Sequence, residues 1–325
     1  MLIQRLGDRV QARTSFLPSF ATALLVLLAI PCGPLASEPL QPLPVTEVAP
    51  GAFVFQGAHQ LFTPQNEGAI CNVGFIIGDA AVAVIDTGGS LVQGERLKAA
   101  IRLRTDLPIR YIINTHMHPD HIFGNPAFVA PGAVFVGHAK LVRALDAREQ
   151  TYLSANARLL GDAAKGLQVI RPTIGVAETT KLDIGGRILL LQPYPTAHTD
   201  NDLTVFDERT RTLFAGDLLF SGHLPAIDGS VKGWLRVMDG LEKVVASRVV
   251  PGHGPAAMPW PEALAPQKRY LNRLTSDIIA AIRAGMPMQQ AAKTAGLSER
   301  DAWELFDDFN ARNVAAAYAE LEWDD

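Results

Sequence analysis

Cysteine is almost missing from this chain: two residues in 325, Cys32 and Cys71. That excludes a disulfide framework and any zinc site built from several thiolates. Aromatic residues are sparse at 7%, and charged residues reach only 19%. The formal net charge of -4 offers no basic surface, which argues against nucleic acid as a partner. Long apolar runs are absent too, apart from one near the N-terminus. What is plentiful is apolar side chain dispersed through the sequence, 48% of it, enough to bury a sizeable core and too much for a disordered chain.

The exception is informative. Arg5, Arg9 and Arg13 precede the apolar run Phe20–Ile30, and Pro34-Leu35-Ala36-Ser37 follows. That order is the pattern of a secretory signal peptide over residues 1–36, cut after Ala36. A membrane anchor is the competing reading, but the strongly apolar stretch is about half of the roughly 20 residues a spanning helix needs. The expectation is therefore a periplasmic or secreted protein with no stable membrane span after cleavage. Pro31 directly before Cys32 fits a lipoprotein signal poorly. Cleavage would remove three arginines and one aspartate, shifting the net charge from -4 to -6. It would leave one cysteine, Cys71, in an apolar run that reads as buried filler.

Residues 37–50 are proline-rich and read as an extended lead-in. Strand patterns follow at 51–56, 69–77 and 81–86, the last two joined by Gly78-Asp79-Ala80 as a hairpin. Residues 91–103 have helical spacing, and 109–114 form an apolar strand. Further strands are expected at 133–136, 179–184, 187–193, 203–207, 212–214 and 248–250. Helices are expected at 122–129, in two segments within 138–165, at 231–246, and from 261 onward with breaks near Gly285-Met286-Pro287 and Gly296. No repeat and no interdomain linker is visible. The division expected is a signal peptide at 1–36, a main domain at 37–260, and a helical extension at 261–325 packed on that domain. Residues 288–305 have the rhythm of a helix-turn-helix, but in an acidic, exported chain an ordinary helical pair is the better reading.

Residues 115–125 read THMHPDHIFGN, with His116, His118, Asp120 and His121 within six positions. They follow the strand at 109–114. His198 follows the strand at 187–193, Asp217 follows 212–214, and His253 follows 248–250. Loops leaving strand ends can gather side chains on one rim of a sheet scaffold. Imidazole and carboxylate suit zinc, and equally iron or manganese. Seven such groups are too many for one tetrahedral ion and suit a pair of ions sharing a carboxylate and a water.

The His-x-His-x-Asp-His run resembles the signature of the metallo-β-lactamase-fold superfamily. The likeness extends over residues 45–255. It includes Val84-Ile85-Asp86-Thr87-Gly88, Thr196-Ala197-His198-Thr199, Phe214-Ala215-Gly216-Asp217 and Pro251-Gly252-His253-Gly254. The resemblance implies an α+β fold, a four-layer αββα sandwich with C-terminal helices. It implies one metal on His116, His118 and His198, a second on Asp120, His121 and His253, and Asp217 bridging them, with two Zn2+ per chain. Asp86 would orient the histidine loop without binding metal. Class B β-lactamases lack a bridging aspartate at the position of Asp217, whereas hydroxyacylglutathione hydrolases have one, so β-lactamase activity is the less favoured reading. Residues 216–236 and the ending AAAYAELEW look like an exported subgroup, the quinoprotein relay system zinc metallohydrolases. That likeness implies a functional link to a periplasmic dehydrogenase using pyrroloquinoline quinone, and no particular substrate.

The function expected is hydrolysis of an ester, thioester or amide in a small molecule by a metal-activated water, with Asp120 orienting that water. Two alternatives stand beside it: an iron-dependent oxidative enzyme of the persulfide dioxygenase type, and a non-enzymatic carrier for a quinoprotein system. His223, six residues after Asp217, reads either as a substrate contact or proton donor, or as a loop histidine tied to backbone. His138 reads as structural. His59 and Phe62 lie in a loop that in this fold can overhang the metals; an exposed histidine and a packing aromatic are the plainer readings. Lys268, Arg269 and Arg273 could meet an anionic substrate, though a solvated helix face is the simpler account.

Overall fold

The computed structural model describes residues 40–323. The expected signal peptide lies outside the described residues. Twelve strands occur among them: β1 Thr46–Ala49, β2 Ala52–Phe55, β3 Val73–Ile77, β4 Val82–Ile85, β5 Ile109–Ile113, β6 Val134–His138, β7 Ile174–Val176, β8 Thr180–Asp183, β9 Ile188–Pro193, β10 Leu203–Asp207, β11 Thr212–Phe220 and β12 Arg248–His253. The helices are α1 Leu91–Arg102, α2 Pro119–Ile122, α3 Leu141–Leu160, α4 Val231–Leu241, α5 Ala265–Arg283, α6 Met288–Ala291 and α7 Phe306–Leu321. The strands form a seven-stranded sheet in the order β1 to β7 and a five-stranded sheet in the order β12-β11-β10-β9-β8.

The strands of the first sheet are apolar on both faces, and the alternation sorts them. Val82 and Val84 of β4 face outward with Ile112 and Phe135, against Leu97, Ala100 and Ile101 of α1. Ala83 and Ile85 face inward with Ile113 and Val136, against Leu189, Leu191, Val205 and Phe214 of the second sheet. The other face of the second sheet carries Leu213, Ala215 and Leu219 against Trp234, Met238, Tyr270, Leu271 and Val314 of α4, α5 and α7. The result is helix, sheet, sheet, helix, as the resemblance implies, and residues of 261–325 form part of the second helical layer.

Local sequence explains the elements that position the site. Ser90 caps α1 by accepting from the Gln93 amide at 3.2 Å, while the Gln93 side chain accepts from the Gly89 amide at 2.8 Å. Ser230 caps α4 the same way, and Val231, Trp234, Met238 and Leu241 make its buried stripe. Strands β4, β5, β6 and β7 are parallel neighbours, and β9, β11 and β12 all run in one direction, so chain leaves each group at a common edge.

Several elements differ from expectation. The helix expected at 122–129 begins earlier, as α2 at Pro119, because proline is preorganised for the first turn of a helix. A 3₁₀ turn over Asn125–Phe128 follows it. The two segments expected within 138–165 are one 20-residue helix and a 3₁₀ turn. Strand β11 runs on past Phe214 to Phe220, with a register irregularity at Gly216 that keeps the strand paired through Asp217. Strands β1 and β7 were not foreseen; both are edge strands and too short and mixed in polarity to show a period. Residues 288–305, expected as an ordinary helical pair, form the single-turn helix α6 and a 3₁₀ stretch. No helix among the described residues is long and apolar enough to cross a membrane.

Candidate metal centre

The tight loop after β4 begins the site. Asp86 has φ +55°, a left-handed conformation that aspartate tolerates better than most residues. Its carboxylate accepts from the Thr115 amide at 2.8 Å, the Thr115 hydroxyl at 2.7 Å and Nδ1 of His121 at 2.8 Å. These three bonds offset the backbone strain and fasten the loop after β5. Thr115 also meets Nδ1 of His116 at 3.0 Å through its hydroxyl. With their Nδ1 atoms occupied, both His116 and His121 present Nε2 to the interior.

His118 is turned the other way. Its Nε2 meets Asp228 at 3.0 Å, and its Nδ1 lies 3.0 Å from Nε2 of His198. His198 is held by its own Nδ1 donating to the Ala226 carbonyl at 2.7 Å. His253 enters from the end of β12, its Nδ1 donating to the Ile70 carbonyl at 3.0 Å and its ring stacked on Phe220 at 4.9 Å. Asp217 sits among them. Its Oδ2 is 3.6 Å from Nε2 of His116, 3.4 Å from that of His198 and 3.5 Å from that of His253. Its Oδ1 is 3.1 Å from Nε2 of His121. Asp120 lies 3.5 Å from His121 and 3.3 Å from His253.

Two glycines make this approach feasible. A Cβ at Gly216 would stand 2.6 Å from the Thr115 hydroxyl, and one at Gly252 would stand 1.9 Å from Oδ1 of Asp217. Any side chain at either position would push the carboxylate or the histidine loop out of place.

All seven side chains predicted as ligands therefore meet, in two groups that share Asp217: His116, His118, His198 and Asp217, and His121, Asp217 and His253 with Asp120 alongside. Nε2 of His116, Nε2 of His121 and Oδ1 of Asp217 are buried without a hydrogen-bond partner. They lie close to one another but are not aligned as donor and acceptor. Buried polar atoms left this way are costly unless something else occupies their lone pairs. Neutral imidazole nitrogens and carboxylate oxygens aimed at common points fit divalent cations.

The electrostatics divide the cluster. Burial, reinforced by the neighbouring histidines and opposed by Asp217, drives His116 well below the usual imidazole range and His198 down to about 3. Burial also opposes charge on His253, but Asp217 and Asp120 outweigh it and raise that imidazole to about 9; His121 is raised well above the usual imidazole range too, against burial, by the neighbouring Cys71 and then by Asp217, Asp120 and Asp86. Burial would raise the carboxyls of Asp120 and Asp217, yet the surrounding histidines hold both well below the usual carboxylate range.

The remaining predicted residues fall into place around this centre. His223 is buried beside His253, its ring centroid 4.9 Å away, with Nδ1 donating to the Leu224 carbonyl at 2.6 Å. Burial and the nearby His253 push it down to about 3, so it is neutral near pH 7. That argues against a proton donor and leaves Nε2 as an acceptor. His59 pairs with Glu304 at 3.1 Å, and His138 caps the Lys140 amide at 3.0 Å. Lys268, Arg269 and Arg273 pair with Asp239 and Glu242, Glu299, and Asp277, and none of them lines the cavity above the cluster.

That cavity has a volume of about 550 Å³. Phe62, His118, Asp120, Asp217, His223 and His253 line it, together with Arg148, Tyr152, Asp228, Phe309 and Arg312, which sequence reasoning missed. Arg148, Tyr152, Phe309 and Arg312 lie on α3 and α7, remote in sequence from any motif, while Asp228 lies in the loop before α4, inside the distinctive 216–236 stretch but with no ligand spacing to single it out. Cys71 is buried, as expected, but also engaged: its thiol donates to the Asp120 carbonyl at 2.9 Å, and burial pushes it up to about 12.

Residues 67–253 match the Metallo-beta-lactamase superfamily, more than half of the chain, and the protein belongs to that family. Its structure is similar to a metallo-beta-lactamase from Pontibacter korlensis, with a TM-score of 0.58 and 20% identity over 71% of this chain and 99% of that one. It is also similar to the stereoselective inverting sec-alkylsulfatase Pisa1 from Pseudomonas sp., with a TM-score of 0.66 and 15% identity over 85% of this chain and 50% of that one. A linear primary-alkylsulfatase from Pseudomonas sp. (strain ATCC 19151) is 41% identical over 58 residues, which is 18% of this chain and 11% of the relative. The chain thus spans a small part of that curated relative and about half of Pisa1. At these identities the solved structures speak for the fold.

Proposed function

We propose that the protein is an exported metal-dependent hydrolase with a dinuclear centre, acting on an ester, thioester or amide bond of a small molecule. One observation carries this reading: seven side chains from four separate places in the chain converge, with unpaired buried nitrogens and a carboxylate oxygen facing one another at the floor of an open cavity. In it His116, His118 and His198 would hold one ion, Asp120, His121 and His253 would hold the other, and Asp217 would serve both. Two divalent cations, zinc as the family resemblance implies, would supply a water acidified toward a pKa of ~7 and a Lewis acid for the substrate carbonyl. The chain supplies the rest. Asp120, ionised and facing the cavity, accepts a hydrogen bond from the attacking water and orients it. Asp86 and Asp228 fix the rings of His121 and His118. His223 accepts a hydrogen bond from substrate at Nε2. Iron or manganese would suit the same atoms, and one iron per chain would favour the oxidative reading.

The likeness to alkylsulfatases adds sulfate esters to the substrates worth testing. The periplasmic or secreted location and the link to a quinoprotein dehydrogenase rest on residues 1–36 and 216–236 of the sequence. The test is elemental analysis of protein purified without chelator, paired with a screen of thioesters, lactones, β-lactams, sulfate esters and quinone-precursor peptides. About two zinc ions per chain and turnover of one class are expected. Asp120→Ala should then lose turnover by ~10²-fold or more while keeping part of the metal. A fully active Asp120→Ala enzyme, or a chain purified without divalent metal, refutes the reading.

A further inference from the structure

We infer that the cavity above the cluster binds an amphipathic anion, its charged end on Arg148 and Arg312 and its apolar end against Leu61, Phe62 and Phe309. This deepens the hydrolase reading and rests on it for the reaction, though not for the binding.

The charge balance of the cavity wall leads there. Arg148 comes from α3 and Arg312 from α7, so two helices distant in sequence place guanidinium groups in one cavity. Their shared acidic neighbour is Asp228, at 3.7 Å from Arg148 and 3.8 Å from Arg312, both beyond hydrogen-bond length. No other acidic group pairs with either arginine among the described residues. Asp228 is already committed to His118 at 3.0 Å. Two cations therefore share one carboxylate that is spoken for, and both keep N–H donors free. Arg171 and Arg269 show what full pairing looks like: Arg171 binds Asp146 at 2.6 Å and Glu149 at 2.7 Å, and Arg269 makes bonds of 2.8–3.0 Å to Glu299. An anion between Arg148 and Arg312 would complete the set with the fork geometry guanidinium favours.

The apolar half is equally specific. Leu61 and Leu159 are large hydrophobic side chains left 47% and 50% exposed, and both line this cavity. Phe62 and Phe309 continue the apolar wall from the 57–68 loop and from α7. Arg148 and Tyr152 are four residues apart on α3, and Phe309 and Arg312 three apart on α7, so each helix offers a cation and an aromatic ring on one face. Both arginines approach Asp228, which bonds His118 of the cluster, so the charged end would lie close to the cluster.

The probe is 1-octanesulfonate, which has a permanent charge, an alkyl chain and no hydrolysable bond. Calorimetric titration into the intact protein should show one site per chain. The Arg148→Gln/Arg312→Gln variant should bind it at least about tenfold more weakly, with unchanged metal content and circular dichroism. Methanesulfonate (charge without chain) and 1-octanol (chain without charge) should each bind at least about tenfold more weakly than the probe. Binding to the unaltered chain should also weaken as salt is added, a measurement that does not depend on the variant folding. Unchanged affinity in the double variant, equal binding of 1-octanol, salt-independent affinity or no binding at all overturns the proposal. Failure here with metal and turnover intact leaves the hydrolase reading standing; a metal-free chain that binds the probe sinks that reading and keeps this site.

Discussion

The two halves of the centre are built from the same side chain and behave oppositely. His116, His118 and His198 share a single nearby ligand carboxylate, Asp217, and burial keeps His116 and His198 neutral. His121 and His253 are ringed by Asp86, Asp120 and Asp217, and those charges hold protons on both. A ligand histidine must be neutral to bind a cation. His116 and His198 are therefore already in their binding form, while His121 and His253 in the other half would exchange protons for metal. The carboxylates that oblige this exchange also give that half the greater negative charge to hold a cation once the protons have gone. Imidazole chemistry is thus set by the carboxylates around it, and the polarity of the centre follows from where Asp86 and Asp120 stand.

The largest effect should come from removing the one residue common to both halves. Asp217→Ala takes away the oxygen that reaches His116, His121, His198 and His253, and it should reduce turnover by at least ~10³-fold. Metal should fall below two per chain by elemental analysis. An Asp217→Ala protein that keeps two ions and its rate would mean that the halves are independent sites.

Next comes pH. A histidine raised to about 9 in the folded, metal-free chain stabilises it fully below the unfolded value near 6.5, and that contribution is lost as pH rises through 9. Metal binding displaces the same proton, so affinity of the carboxylate-rich half should rise about tenfold per pH unit below 9 for His253 alone. His198, already neutral above about 3, adds no such slope to the other half. Chelator competition between pH 6 and 9 should resolve a pH-sensitive ion and an insensitive one. Parallel slopes for both would erase the contrast.

Much of this asymmetry was legible in the sequence, and the reason is local. His116, His118, Asp120 and His121 are adjacent because one loop delivers them, and His198, Asp217 and His253 each sit near a strand whose apolar run is plain. Asp86 is placed beside the histidine loop by the family resemblance and not by its own spacing. The central strands of the first sheet read as continuous apolar runs because both faces are buried, but the four-layer arrangement came from the family resemblance, with which that strand order is compatible. What stayed hidden is whatever depends on one helix meeting another. Arg148 and Arg312 come from two different helices, α3 and α7, and Asp228 reaches His118 across 110 residues. Polar residues on helical or loop segments look like ordinary solvated surface until the tertiary structure turns them inward. The same holds for the thiol of Cys71, whose partner is a backbone carbonyl 49 residues away.

The finest test compares the carboxylates that orient a ring in each half. Asp86 is buried, makes three hydrogen bonds and holds Nδ1 of His121 at 2.8 Å. Asp228 is a quarter exposed and holds Nε2 of His118 at 3.0 Å. Burial would raise its carboxyl, but the hydrogen bond from His118 and the charge of Arg148 bring it down to about 2, so it is ionised. Partners of this kind typically contribute 10–100-fold to metal affinity or activity. Asp86→Asn should fall near the ~100-fold end, because an amide cannot accept all three bonds and its surplus N–H donors would be buried facing Thr115 and His121. Asp228→Asn should fall near the ~10-fold end, since its amide oxygen can still accept from His118 and solvent screens the rest. Zinc affinity measured by competition for both variants decides the order. If Asp228→Asn were the more damaging, the exposed wall of the cavity, and not the buried loop beneath it, would be what keeps the histidines in place.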